Sequence, residues 1–221
     1  DRVIYGGCSA GARGALVSLD YVATNLVGQA ETVGILDSGL FVPMESGNPH
    51  VTSFTDQAKH MLTWANATFF IGDECGRAFP SEPWKCLIGA YRLLFVRTPY
   101  FLSHSQYDAF GITHNVFGTF RPDVVLSQAQ VASAEQYRQE IIRYLPDVAE
   151  GSGKAVFSTA CFIHCTLHRD SFYYMHADGV LAPDILHRWL TAYANISKTK
   201  VIEPCDGFSC GCKDSKRLMS V

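Results

Sequence analysis

The chain has 221 residues, 48% of them hydrophobic and 18% charged, with a net charge of −3. That composition fits a globular core and excludes a disordered chain. It carries no basic stripe to bind nucleic acid and no apolar run of about 18 residues to span a membrane.

An apolar run, Val3-Ile4-Tyr5, leads into Gly7-Cys8-Ser9-Ala10-Gly11, and a helical pattern follows at once. Strand, sharp turn, helix is the context of a G-x-S-x-G nucleophile elbow. Gly7 and Gly11 would let strand and helix backbones approach closely. The Ser9 hydroxyl would stand at the carboxyl edge of a parallel sheet, and the Ala10 N–H would face an oxyanion. The chain opens inside a strand without an initiator Met, as the later part of a longer protein would.

Leu16, Leu19, Val22, Ala23 and Leu26 keep helical spacing, with Gly28 as a stop. A strand is predicted over Thr32 to Leu36, ending in Asp37-Ser38-Gly39. Asp37, just past a strand end, rivals other carboxylates for a catalytic role. The favoured expectation is that it accepts hydrogen bonds from turn N–H groups. Phe41 to Pro49 reads as a loop. Phe54, Ala58, Met61, Leu62 and Ala65 form one helical face. Asp73 to Cys86 reads as a surface loop closed by a Cys75–Cys86 disulfide. Leu87 to Val96 is a helix or turn.

Thr98 to Ser103 is a short strand that feeds into Gln106-Tyr107-Asp108. Ser127-x-x-Gln130 is a capping-box start to a helix that runs to Leu145 and stops at Pro146. Ala155 to Thr159 is a further strand, with His164 shortly beyond it, and Pro183 opens a last helix. No repeat or interdomain linker breaks the 221 residues, so one domain is expected.

Eight cysteines lack zinc-site spacing and point to disulfides in an oxidising compartment. The sequons Asn66-Ala67-Thr68 and Asn195-Ile196-Ser197 agree with a secreted glycoprotein. No metal or organic cofactor is called for, and oligomeric state is not legible.

The order Ser9, Asp108, His164 is that of α/β-hydrolase triads. Ser9 needs a base to take its proton. His164 would be that base, and Asp108 would hold its tautomer. Among the eight histidines, His168 and His176 are the nearest rivals to His164, while His60 and His187 fall in predicted helices.

At these residues the chain resembles the pectin acetylesterase/Notum carboxylesterase family. Gly7-Cys8-Ser9-Ala10-Gly11 is similar to the family's nucleophile motif, and Asp37-Ser38-Gly39-Leu40-Phe41 to its D-[SA]-G-[FW]-F segment. Trp84-Lys85-Cys86, Arg97-Thr98-Pro99-Tyr100-Phe101 and Tyr107-Asp108 resemble the stretch ending at its acid. Ala160-Cys161-Phe162-Ile163-His164-Cys165 resembles its histidine segment. Cys8 and His164-Cys165 lean towards the pectin acetylesterase branch.

The resemblance, over about Val3 to Cys212, implies Ser9, Asp108 and His164 as triad, Ala10 as an oxyanion donor and Asp37 as structural. Two departures stand out. Ala12 replaces a usual glycine, and the family's strands before the nucleophile, with their Gly-rich oxyanion loop, are missing. The implied fold is an α/β-hydrolase-like three-layer sandwich, present as its C-terminal part. The implied function is removal of O-acetyl groups from pectin-like polysaccharide. The expected partner is an acetylated polysaccharide or acylated glycoconjugate substrate, and two alternatives are Notum-like removal of a fatty acyl group from a secreted protein and an inactive secreted binding module of the same fold.

Overall fold

The computed structural model describes residues 1–46, 49–117, 125–193 and 199–212. Among these residues, five parallel strands form the central sheet in the order β1 (Arg2–Cys8), β2 (Glu31–Asp37), β3 (Tyr100–Ser103), β5 (Ala155–Ser158) and β9 (Lys200–Ile202). Two short pairs accompany it: β4 (Tyr107–Asp108) with β6 (Phe162–Ile163) in parallel, and β7 (His176–Ala177) with β8 (Val180–Leu181) antiparallel.

Among the described residues there are six α-helices: α1 (Ala10–Asn25), α2 (Phe54–Trp64), α3 (Asp73–Ala78), α4 (Gly89–Arg92), α5 (Gln128–Tyr144) and α6 (Ala182–Ala192). The period-2 alternation of strands assigns the layers. Leu36, Tyr100, Leu102 and Val156 pack with Leu16 and Leu19 of α1, Ala90 of α4 and Ile141 of α5. Val33, Phe101, Ala155, Phe157 and Val201 face the other way, onto Ile185 and Trp189 of α6. The sheet is therefore covered on both faces, as parallel strands require. Trp189 is fully buried and donates its indole N–H to the Gly153 carbonyl at 2.9 Å.

The local signals hold at several points. Ser127 and Gln130 form the capping box of α5. Pro183 lies in the first turn of α6. Ala12 sits in α1, fully buried, and a Cβ at Gly39 would come within 2.6 Å of the Ala12 methyl. The extra methyl at position 12 is thus accommodated by the glycine at 39.

Other expectations change. The span from Cys75 to Cys86 is not an open surface loop. Cys75 lies in α3, Cys86 in a 3₁₀ turn (Pro83–Leu87), and both are fully buried, although they do form the expected disulfide. Their sulfurs are part of the packing between these short helices. Within Leu87 to Val96, α4 is a single turn. β1 lies at the sheet edge, and its Ile4 is 54% exposed. Asn66 is exposed, whereas the sequon at Asn195 lies outside the described residues.

Candidate active site

β1 ends at Cys8, and the chain turns at once into α1. Ser9 makes that turn with φ 59° and ψ −123°. A non-glycine residue persists there only when its surroundings over-determine it. Two contacts do so. The Ser9 N–H donates to the Asp37 carbonyl at 2.8 Å, and a Cβ on Gly7 would lie only 2.8 Å from the Gly11 backbone. Gly7 therefore permits the close crossing of strand and helix. Gly11 does not share that role, because a Cβ there would meet nothing within 4 Å. The Ser9 hydroxyl does not cap α1, so its oxygen is not tied to its own helix. Ala10, as the first residue of α1, has an N–H outside the helical ladder.

Asp108 arrives from the far side of β3. Gln106 hydrogen-bonds the Glu203 carbonyl at 2.8 Å and accepts from Arg138 Nε at 2.8 Å, and Arg138 also donates to the Tyr107 hydroxyl at 3.1 Å. This buried lattice fixes β4. The Asp108 carboxylate, 3% exposed, accepts the Gly111 N–H on Oδ1 at 2.7 Å.

Register delivers the histidine. Asp108 pairs with Ile163 across β4 and β6, so His164 is the next residue beyond that pairing. Its Nδ1 lies 2.7 Å from Asp108 Oδ2. An ionised carboxylate only accepts, so Nδ1 carries the proton and Nε2 is the nitrogen open to proton transfer. Burial draws the His164 pKa down, but the charge of Asp108 and its hydrogen bond outweigh this and leave it above the ordinary imidazole value. The Phe110 ring lies 5.2 Å from the imidazole and forms an apolar wall beside it.

The turn after His164 is fastened to the elbow. Cys165 is disulfide-bonded to Cys8, with Cα atoms 5.8 Å apart, and a His164 ring nitrogen lies within 4.8 Å of both sulfurs. The imidazole therefore stands beside the residue that precedes Ser9. Asp37 does not hydrogen-bond His164, although its charge adds to the upward pull on the imidazole pKa. Its Oδ2 accepts the N–H groups of Thr166 at 2.7 Å and Leu167 at 2.9 Å, and its Oδ1 the Thr166 hydroxyl at 3.1 Å. Ser38 Oγ accepts the Cys165 N–H at 2.9 Å. The expected turn N–H donors thus come from a segment about 130 residues away, not from Asp37's own turn. Burial raises the Asp37 pKa, against the lowering effect of these hydrogen bonds.

All eight cysteines form disulfides: Cys8–Cys165, Cys75–Cys86, Cys161–Cys212 and Cys205–Cys210. The two side-chain groupings near the site with metal-like spacing both include Cys8, whose sulfur is committed to Cys165. The rival His168 is exposed, within 4.8 Å of Asp37 and Cys8, while His176 is exposed on β7. Two clefts of about 620 and 450 Å³ lie elsewhere, around Phe69, Gly72 and the C-terminal half of α1.

Sequence reasoning missed three contributors. Ser38 and Thr166 complete the fastening of the histidine turn. His104, 2% exposed, follows β3 with neither ring nitrogen hydrogen-bonded. Short polar residues carry no periodic signal, and only the position of Cys8 and Cys165 beside Ser9 and His164 hinted at their pairing.

A strained serine at a strand–helix turn, beside a hydrogen-bonded Asp–His pair at the carboxyl edge of a parallel sheet, is the architecture of an α/β-hydrolase-like fold. A solved structure of the Wnt deacylase Notum from Drosophila shares it, with a TM-score of 0.77 over 95% of this chain and 57% of that one, at 21% identity. The chain belongs to the pectinacetylesterase family, whose profile matches residues 1–211. Pectin acetylesterase 5 of Arabidopsis thaliana is 27% identical over 74% of this chain and 40% of its own length. The palmitoleoyl-protein carboxylesterase NOTUM of Drosophila melanogaster is 28% identical over 83% of this chain and 26% of its own. The chain thus spans less than half the length of these curated relatives.

Proposed function

We propose that the protein is a serine carboxylesterase of the secretory pathway that removes O-acetyl groups from a pectin-like polysaccharide, with residues 1–221 as the C-terminal part of a single esterase domain. The observation that carries this reading is the 2.7 Å contact between Asp108 and His164, held beside the Ser9 elbow by the Cys8–Cys165 bridge. The family assignment and the four disulfides support it.

Ser9 Oγ attacks the ester carbonyl while His164 Nε2 takes its proton. The Ala10 N–H donates to the oxyanion that forms. The tetrahedral intermediate collapses, the sugar hydroxyl leaves with the proton from His164, and Ser9 keeps the acetyl group. Water, deprotonated by His164, then attacks the acyl-enzyme and releases acetate. Asp108 holds the Nδ1–H tautomer and stabilises the imidazolium without itself being protonated. As the second intermediate collapses, His164 passes the proton taken from water to Ser9 Oγ, which replaces the one that left with the sugar, and the scheme calls for no cofactor.

The test uses the natural full-length protein. Acetate release from acetylated pectin and a fluorophosphonate adduct on Ser9 are expected together. Absence of both would identify a binding module. Preference for palmitoyl over acetyl aryl esters would instead place the substrate with acylated proteins, since a long chain needs a deep apolar pocket.

A further inference from the structure

We infer that the Cys8–Cys165 disulfide is a positioning element for ester hydrolysis: it sets the spacing between the nucleophile elbow and the histidine turn, and turnover requires it in the oxidised form. This rests on the triad proposed above.

The argument is one of placement. Cys8 immediately precedes Ser9 and Cys165 immediately follows His164, so the bridge joins the two catalytic segments one residue from each reacting side chain. Both segments are conformationally costly at that point. Ser9 has φ 59° and Cys165 has φ 60°, and neither is glycine. Such residues stay put only where the surroundings hold them.

The other fastenings of the turn do not do the same work. Asp37 and Ser38 hydrogen-bond residues 165–167, but they are the last residue of β2 and the one just after it. The Ser9 N–H likewise reaches β2, through the Asp37 carbonyl. Hydrogen bonds therefore link β1 to β2 and β2 to the turn. The sulfur bridge closes the third side of that triangle, directly between the end of β1 and the turn. β1 is already held to β2 over the seven-residue register Arg2 to Cys8, so the bridge is not needed to keep β1 in the sheet. What it adds is lateral spacing, and proton transfer between a hydroxyl and an imidazole needs hydrogen-bond reach. A misplacement of about 1 Å at such a site costs about 100-fold in rate.

Two measurements on the natural full-length protein test this. The first is the double variant Cys8→Ala/Cys165→Ala, with Cys205→Ala/Cys210→Ala as a control for a bridge that closes only a short tail loop. Expected are a kcat for aryl acetate about 100-fold lower, a KM within about two-fold of the parent, and Ser9 labelling by fluorophosphonate slowed in parallel. The control keeps its kcat. The second is reduction by dithiothreitol, with cysteine peptides mapped after alkylation of aliquots. The reductant supplies two electrons and two protons, closes to its cyclic disulfide, and leaves Cys8 and Cys165 as thiols. Activity is expected to fall as this pair opens while the fold, read by circular dichroism, persists, and reoxidation restores it. A folded double variant with kcat within about three-fold of the parent would overturn the inference. So would activity lost only together with the fold. A parent that neither turns over nor labels sinks the triad itself, a result distinct from either.

Discussion

The Asp108 carboxylate divides its two oxygens between one backbone and one side-chain donor: Oδ1 takes the Gly111 N–H and Oδ2 the His164 Nδ1–H, each at 2.7 Å. The acid is thus oriented before it orients the base. His164 must be neutral to accept the Ser9 proton, and its pKa is raised. kcat/KM should therefore rise with pH along a limb centred above the ordinary imidazole value of about 6.5. In Asp108→Asn the larger of the two charges that lift the pKa is gone and only that of Asp37 remains, so the limb moves to lower pH. The amide also favours the wrong tautomer, and turnover falls by about 10⁴-fold. A pH–rate profile of both proteins checks the two effects together.

Ser9→Ala should abolish hydrolysis and leave the fold intact. The hydroxyl caps nothing, so its loss orphans no partner. A drop in kcat of at least about 10⁴-fold, with an unchanged circular dichroism spectrum, is the expected outcome.

Asp37 separates geometry from charge. Burial raises its pKa, so a neutral amide of the same shape relieves a cost. Asp37→Asn keeps an oxygen for the Thr166 and Leu167 N–H groups and should lose far less turnover than Asp108→Asn. Asp37→Ala leaves the buried Thr166 N–H and the partly buried Leu167 N–H without an acceptor, and should lower stability by about 2–4 kcal/mol. Urea unfolding of the two variants distinguishes them.

His104 should give the protein an acid-sensitive step. Burial lowers its pKa to about 4, with Asp108 partly opposing this. The folded state therefore keeps His104 neutral, while the unfolded chain takes up a proton below about pH 6.5. Its contribution to stability is complete above that pH and falls away as pH drops towards 4, by on the order of 3 kcal/mol. His104→Leu removes a buried imidazole with no hydrogen-bonded nitrogen, and should flatten that limb with little loss at pH 7. Thermal melts between pH 4 and pH 7, a range of about three units, measure it.

Much of this was legible locally. The switch from strand to helix around Ser9, the capping box at Ser127 and the proline opening α6 each depend on a handful of consecutive residues. The weaker expectations failed where several weak signals overlapped. Between Asp73 and Cys86, glycine, proline and charge read as open loop, yet burial of both cysteines draws the segment into short helices. Gly11 looked like a second close-approach glycine, but which glycine faces the crossing depends on backbone direction, and that is Gly7.

Chain order alone determined which serine, acid and histidine types could come to one sheet edge, because successive parallel strands present their carboxyl ends on the same side. Tertiary structure decided the partnerships. It assigned Asp108 to His164 and Asp37 to the turn beyond, paired Cys8 with Cys165 across 157 residues, and buried His104 next to the pair. Local propensity has no term for contacts between residues so far apart. Only assembly of the sheet, which sets their distances, chooses among them.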